Sequence, residues 1–296
     1  MFSHDQYQLL DFGGGRKLER FGGEVLDRPS PAAVGATATN PEIWGSATAR
    51  FDIDKGAKGS WTGELSSSGE SWSVSHGASR LIMGLNSSGN VGLFPEQAAN
   101  WDWISEHVEH SRTSLTNRRP RVLNLFAYTG GATLAAAAAG AEVSHVDSSG
   151  PTVAWARKNA EASGMVDLPI RWLVEDAIKF AAREVKRGNF YDGVIVDPPT
   201  YGHGPKGKAF KFQQHVGELM RLCGALISEQ PYGHRFLLFS CHAPCFGPED
   251  AAFAVSASVP AEMTGNVVSL PLSLQTKDGP KLAAGVCAQW STTVRE

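Results

Sequence analysis

The chain has 296 residues, of which 42% are hydrophobic and 19% are charged, and its formal net charge is −3. The length exceeds that of a usual single domain and the composition is that of a globular protein, so we expect two folded domains. The slightly acidic charge argues against a broad basic surface that would bind nucleic acid by charge alone, and it is compatible with local basic patches.

The sequence contains no apolar run long enough to cross a bilayer, and its start is not a basic segment followed by an apolar one. We therefore expect a cytoplasmic protein without membrane contact. The cysteines have neither the number expected of a disulfide framework nor the paired spacing of a metal site, so we predict free thiols and no bound metal. They are Cys223, Cys241, Cys245 and Cys287.

Residues 1–115 alternate short apolar and polar stretches with Gly and Ser, as in residues 49–54 and 70–75. This texture predicts short antiparallel strands joined by turns. A helix is predicted from Glu96 toward His110, where it would link this segment to the rest of the chain. We expect residues 1–115 to form a smaller N-terminal β-rich domain, which is a candidate for substrate recognition.

From residue 116 onward, apolar strands alternate with helices that are bounded by glycine, which predicts a parallel sheet with helices on both faces. The last two strands are expected to close the sheet as an antiparallel pair. We therefore expect residues 116–296 to form an α/β domain. Its strands are predicted at 122–126, 143–146, 171–174, 191–196, 235–240, 267–272 and 286–290, and its helices at 131–139, 151–163, 176–186 and about 212–227.

The most informative stretch is Val122-Leu-Asn-Leu-Phe-Ala-Tyr-Thr-Gly-Gly131, a strand followed by a glycine turn whose backbone can approach a ligand closely. Ligands of open α/β sheets bind beyond the carboxyl ends of the strands. Asp147 ends the next strand, where a carboxylate can accept both hydroxyl hydrogens of a ribose. Asp176 follows the third strand, in a position suited to an adenine amino group. Together these strand ends predict a pocket for an adenosine-containing cofactor.

Each of these signals also has a purely structural explanation. Gly130 and Gly131 are equally suited to close packing, and Asp147 and Asp176 are equally suited to capping the helices that follow them. Their coincidence at successive strand ends favours the cofactor. A dinucleotide is disfavoured, because the turn lacks the Gly-x-Gly-x-x-Gly pattern.

Asn124-Leu-Phe-Ala-Tyr-Thr-Gly-Gly131 and Asp197-Pro-Pro-Thr200 resemble class I S-adenosylmethionine-dependent methyltransferases, and more narrowly the bacterial 23S rRNA methyltransferase group. The resemblance covers residues 121–241 and extends weakly upstream through Gly92-Leu-Phe-Pro-Glu-Gln97. It implies a Rossmann-like seven-stranded sheet with a reversed final hairpin, S-adenosylmethionine as cofactor, and RNA as partner. We expect no PUA module beside the β-rich domain. Cofactor contacts are expected at Asn124, Phe126, Tyr128, Thr129, Gly130, Gly131, Asp147, Ser148, Asp176, Ala177 and Asp197.

The segment Asp197-Pro-Pro-Thr200 follows the fourth strand and offers a carboxylate and carbonyl oxygens, while its prolines have no N–H to donate. Such an acceptor-rich edge suits the amine or the protonated ring nitrogen of a base, with Asp197 orienting it. Substrate contacts are expected at Pro198, Pro199, Tyr201, Lys206 and Lys208. The lysines lie near phenylalanines and so suit phosphate binding and base stacking, although a solvated loop fits them equally well.

Cys241 directly follows the fifth strand and resembles the placement of the nucleophile in cytosine carbon-5 enzymes. A thiolate there would add to carbon-6 of the base and make carbon-5 nucleophilic. Asp197 and Cys241 are therefore the candidate catalytic residues, and cytosine carbon-5 is the favoured acceptor. An inert buried cysteine is the structural alternative. Amino-directed methylation, as at guanine N2, needs no thiol, and a small-molecule methyltransferase or a noncatalytic RNA-binding factor stays open.

Overall fold

The computed structural model describes residues 1–55, 58–66, 72–115, 117–203, 209–227, 233–277 and 279–293. The chain divides into two compact units, Met1–Ala98 with Ser273–Ala284, and Ala99–Leu272 with Gly285–Glu296. Within the described ranges, no helix is long and apolar enough to span a membrane. In the same ranges, no group of three or more His, Cys, Asp or Glu side chains is placed to hold a metal ion.

The first unit is built from short strands, as the alternating texture of its sequence predicts. They are β1 (Tyr7–Gly13), β2 (Arg16–Phe21), β3 (Glu24–Pro29), β4 (Ala49–Lys55), β5 (Lys58–Gly63), β6 (Ser73–His76) and β7 (Ser79–Ile82). In the described part of this unit, β1 to β5 form one sheet in chain order, and β6 pairs with β7 in a separate hairpin. Neighbouring strands run antiparallel except β3 and β4, which pair in parallel.

The second unit alternates strands and helices. Its helices are α1 (Ala98–Ser114), α2 (Gly131–Ala138), α3 (Gly150–Ala162), α4 (Ala177–Lys186), α5 (Phe212–Leu226) and α6 (Pro248–Ser256). Its strands are β8 (Arg121–Leu125), β9 (Glu142–Asp147), β10 (Ile170–Val174), β11 (Gly193–Val196), β12 (Tyr201–His203), β13 (Ala209–Lys211), β14 (Phe236–Cys241), β15 (Gly265–Gln275) and β16 (Lys281–Thr292).

Among the described residues of this unit, seven strands form one sheet in the order β10-β9-β8-β11-β14-β16-β15. The strands from β10 to β14 run parallel to their neighbours, and β16 runs antiparallel to β14. The predicted Rossmann-like sheet with helices on its faces is thereby confirmed. Strand order reverses between β8 and β11, so this is the point at which an open sheet of this kind binds its ligand.

The boundary between the units differs from the expected one near residue 115, because α1 packs on the α/β unit. The Ser105 hydroxyl donates to the carbonyl oxygen of Ala135 at 3.3 Å, and the Gln289 amide donates to Asn100 Oδ1 at 3.0 Å. The division between the two units therefore falls after Ala98, and residues 273–284 also belong to the first unit. Two further elements were not predicted, namely α6 and the hairpin of β12 and β13.

Candidate active site

The carboxyl ends of the central strands form one open edge. The backbone N–H of Asp197, just beyond β11, lies 3.4 Å from the carbonyl oxygen of Leu125 in β8. The N–H of Glu175, just beyond β10, donates to the carbonyl oxygen of Asp147 at 2.9 Å. Whereas β11 and β14 are buried along their whole length, Phe126, Asp147 and Asp197 are half-buried. The structure thus brings the predicted strand-end residues together.

The turn between β8 and α2 has an unusual backbone. Phe126 and Tyr128 have φ angles of 57° and 50°, in the left-handed region that residues other than glycine rarely adopt. Each such residue costs about 1–3 kcal/mol, and residues of this kind cluster at functional sites. The turn is held in place by the N–H of Ala127, which donates to the carbonyl oxygen of Val146 at 3.0 Å.

The two glycines of this turn are required by packing. Gly130 has a φ of 91°, and a Cβ added there would lie 3.1 Å from the Cβ of Ala156 in α3. A Cβ added to Gly131 would lie 2.4 Å from Cζ2 of Trp101 in α1. Close packing, the structural explanation considered for these glycines, therefore applies. Both glycines also lie at the open edge of the sheet. Sequence reasoning missed Trp101, because nothing local links it to the turn.

The Asp147 carboxylate is held at the edge by backbone amides. Its Oδ2 accepts from the N–H of Tyr128 at 3.0 Å, and its Oδ1 accepts from the N–H of Ser149 at 2.9 Å. Burial raises the pKa of Asp147, and these two hydrogen bonds oppose the rise. Asp147 is not the cap of α3, because that role belongs to Ser149, whose hydroxyl accepts from the N–H of Thr152 at 3.3 Å. Each carboxylate oxygen retains a second lone pair for a ligand.

Asp176 caps α4, as its structural alternative predicted. Its Oδ1 accepts from the N–H of Lys179 at 3.0 Å. The adjacent Glu175 forms a two-point ion pair with Arg183, in which Nη2 lies 2.6 Å from Oε2. Ala177 is buried. Asp176 and Ser148, the residue after β9, are both half-buried at the open edge.

The Asn124 side chain, which was expected at the cofactor, lies inside the domain. Asn124 is 2% exposed, and its Nδ2 donates to the Thr133 hydroxyl at 2.9 Å. That hydroxyl lies 2.9 Å from Nδ1 of His145, whose pKa is lowered by burial to about 3. Asn159 donates from Nδ2 to the carbonyl oxygen of buried Thr129 at 2.8 Å. These buried side chains support the turn from the interior of the domain. No sequence motif identified His145 or Asn159.

The acceptor-rich segment changes from buried to exposed along its length. Asp197 is half-buried and Pro198 is buried, whereas Pro199 and Thr200 are exposed. Tyr201 is 55% exposed at the start of β12. Pro199, Thr200 and the ring of Tyr201 therefore face solvent directly beyond β11, whereas Oδ1 of Asp197 is buried.

Cys241 lies at the same edge but is enclosed. The residue is fully buried, and β14 pairs with β11 so that Val196 lies opposite Phe239. Burial, reinforced by the negative charges of Asp197 and Asp250, raises the pKa of the Cys241 thiol to about 11. A thiol in this environment is protonated near neutral pH and shielded from a substrate. The arrangement is that of the inert buried cysteine that was weighed as the alternative.

The hairpin of β12 and β13 follows the acceptor segment. Phe210 in β13 packs edge-to-face on Phe126 of the turn, with ring centroids 5.1 Å apart. It also stacks on His215 of α5 at 5.4 Å. Sequence reasoning missed this contact. Lys206 and Lys208, the predicted phosphate contacts, lie outside the described residues.

The chain matches a known protein family. The model of a family described as S-adenosylmethionine-dependent methyltransferase matches residues 42–263. The ribosomal RNA large subunit methyltransferase K/L of Stutzerimonas stutzeri is 30% identical over 188 residues, which cover 61% of this chain and 24% of that protein. The ribosomal RNA large subunit methyltransferase I of Photobacterium profundum is 43% identical over 82 residues, covering 27% and 21%. The matched segments thus span about a quarter of these relatives.

Two solved structures superpose on nearly the whole chain. The SAM-dependent methyltransferase from Agrobacterium tumefaciens superposes with a TM-score of 0.86 at 32% identity, over 96% of this chain and 90% of its own. A structure from Streptococcus mutans superposes with a TM-score of 0.73, over 97% of this chain and 75% of its own. At 15% identity, the second structure supports the fold alone.

Proposed function

The chain belongs to the S-adenosylmethionine-dependent methyltransferase family, and from this premise we propose that it methylates a nucleobase of ribosomal RNA. The names of the relatives from Stutzerimonas stutzeri and Photobacterium profundum support RNA as the substrate class. The observation that carries the proposal is the acceptor-rich segment from Asp197 to Thr200, which begins at the same sheet edge as the glycine turn.

S-adenosylmethionine is the cofactor of this family, and the carboxylate acceptors at the open edge fit its adenosyl part. In the proposal, Asp147 accepts the ribose hydroxyls with the lone pairs that its two backbone partners leave available. Asp176 faces the adenine amino group from the neighbouring strand end. When bound, the cofactor supplies a methyl group that its sulfonium already activates. The task of the protein is therefore to hold the acceptor in line and to exclude water.

The acceptor atom in this proposal is a base nitrogen, such as guanine N2. Asp197 accepts a hydrogen bond from the amine, orients the lone pair of the nitrogen, and takes up the proton that leaves after transfer. The burial of Cys241 supports a nitrogen over cytosine carbon-5, because carbon-5 chemistry requires a thiolate. Burial raises the pKa of this thiol to about 11, so the thiol is protonated at neutral pH. Tyr201, which is 55% exposed, is the candidate for stacking on the base.

Methyl transfer to RNA from cells that lack this protein tests the proposal. The purified chain is incubated with methyl-labelled S-adenosylmethionine and total RNA, and the ribosomal RNA is digested to nucleosides and analysed by mass spectrometry. Label in an N-methylated base of ribosomal RNA is expected. Label in 5-methylcytosine would overturn the nitrogen assignment. Label in a small metabolite alone, or cofactor binding without any acceptor, would overturn RNA as the substrate.

A further inference from the structure

The hairpin of β12 and β13 is anchored to the acceptor segment at its base. The N–H of Phe212 donates to the carbonyl oxygen of Thr200 at 3.2 Å, which closes the hairpin where α5 begins. Gly202 pairs with Phe210 across the hairpin. A Cβ added to Gly202 would lie 3.0 Å from Cγ of Pro199, so the hairpin backbone packs directly on the acceptor segment.

The same hairpin also contacts the glycine turn, through Phe210. The ring of Phe210 meets that of Phe126 at 5.1 Å with an interplanar angle of 62°, an edge-to-face geometry that aromatic pairs favour. Phe126 is the residue whose φ of 57° is disfavoured for a side chain of its size. His215 stacks on Phe210 at 5.4 Å with an angle of 29° and fixes the ring from α5. The ring of Phe210 thus contacts the turn, while the hairpin to which Phe210 belongs packs on the acceptor segment through Gly202.

We propose that Phe210 is a positioning residue that couples cofactor binding at the turn to the order of the acceptor segment. A cofactor seated on the turn holds Phe126 in its left-handed conformation, and the ring of Phe126 then holds Phe210. The hairpin in turn fixes Pro199 and Thr200. The bound cofactor therefore favours the ordered acceptor site. The RNA part of this role rests on the proposed function, whereas the coupling itself does not.

Such a coupling is reciprocal. If the cofactor raises the equilibrium constant for docking of the hairpin by some factor, the docked hairpin must raise the affinity for the cofactor by the same factor. Removal of the Phe210 ring should therefore change two quantities together, the protection of the hairpin by cofactor and the affinity for cofactor. If Phe210 only stabilised the hairpin, its removal would leave two quantities unchanged. These are the ratio of hydrogen-exchange rates with and without ligand and the affinity for the cofactor.

Hydrogen exchange of the full chain, with and without S-adenosylhomocysteine, measures the coupling. Peptides that contain Gly202 and Phe210 are expected to exchange about fivefold more slowly with this ligand in the wild type. In Phe210→Ala the ratio of exchange rates without and with ligand falls to one, and the dissociation constant of the ligand rises by about fivefold. Phe210→Tyr, which keeps the ring, restores both values. Phe253→Ala, which removes a ring that is 75% exposed on α6, leaves both unchanged.

Equal exchange with and without ligand in the wild type, or protection that persists in Phe210→Ala, would overturn the coupling. If Phe210→Ala does not fold, as judged by circular dichroism, Phe210→Leu is measured in its place with the same criteria. With an acceptor RNA in hand, Phe210→Ala should also lower kcat at saturating cofactor by about tenfold to a hundredfold. Absence of any RNA acceptor would count against the proposed function, while the exchange and affinity measurements would still decide the coupling.

Discussion

The indole of Trp101 in α1 lies directly against Gly131, where a Cβ would stand 2.4 Å from Cζ2 of the ring. Gly131→Ala should therefore overpack this contact and lower the free energy of unfolding by about 1–3 kcal/mol, as measured by urea denaturation. Gly217→Ala is the matched control, because Gly217 is exposed within α5 and an added Cβ there meets no described atom within 4 Å. The control should raise stability by about 0.5–1 kcal/mol. Equal effects at the two positions would refute the packing role of Gly131.

Asp147→Asn should weaken cofactor binding. The substitution removes the charge and turns an amide N–H₂ toward backbone donors, because Tyr128 and Ser149 both donate to the native carboxylate. Loss of a hydrogen bond to a charged group costs about 1.5–3 kcal/mol, so the dissociation constant of S-adenosylhomocysteine should rise by about tenfold to a hundredfold. Isothermal titration calorimetry measures it. Glu142→Gln, at an exposed position of the same strand, should bind like the wild type.

Cys241→Ala should retain methyl transfer. The thiol is buried, its pKa is raised to about 11, and the proposed nitrogen acceptor has no need of a nucleophile. The initial rate with saturating cofactor is the measurement, with thermal unfolding to account for any loss of packing. Cys223→Ala is the control, because that thiol is equally buried in α5. If turnover disappears in Cys241→Ala but persists in the control, with cofactor binding retained, carbon-5 chemistry is restored as the better explanation.

His145 should make stability depend on pH in the acid range. Burial lowers its pKa from 6.5 to about 3, so the unfolded chain binds the proton more tightly than the folded chain between these values. Its contribution to stability is complete above pH 6.5 and is lost as the pH falls toward 3. The slope contributed by this one group is at most about 1.4 kcal/mol per pH unit.

Urea denaturation at a series of pH values tests this expectation. His145→Gln should flatten the dependence of the unfolding free energy on pH between 6.5 and 3, whatever its effect on stability at neutral pH. His4→Gln, at an exposed position, should keep the wild-type slope. An unchanged slope in His145→Gln would show that His145 titrates alike in the folded and unfolded chains.

Much of the fold could be predicted because its signals are local. The alternation of apolar strands with helices bounded by glycine predicted the parallel strands, and the predicted strand at residues 122–126 corresponds to Arg121–Leu125. The expectation that Asp147 and Asp176 follow neighbouring strands was also sound, since β10 pairs with β9. The sequence did not decide which of Asp147 and Asp176 caps a helix, because capping depends on which side chain reaches the N–H groups of the first helical turn.

The sequence by itself therefore determined the class of sheet, the position of the glycine turn and the acceptor-rich segment, because periodicity and strand-end residues are encoded over short distances. Only the tertiary structure decided the roles that depend on contacts between distant segments. It assigned α1 to the α/β unit, turned Asn124 inward to Thr133, enclosed Cys241 and set Phe210 on Phe126. Burial and side-chain contact arise from packing between elements, and no local pattern of residues specifies which distant side chain will lie opposite.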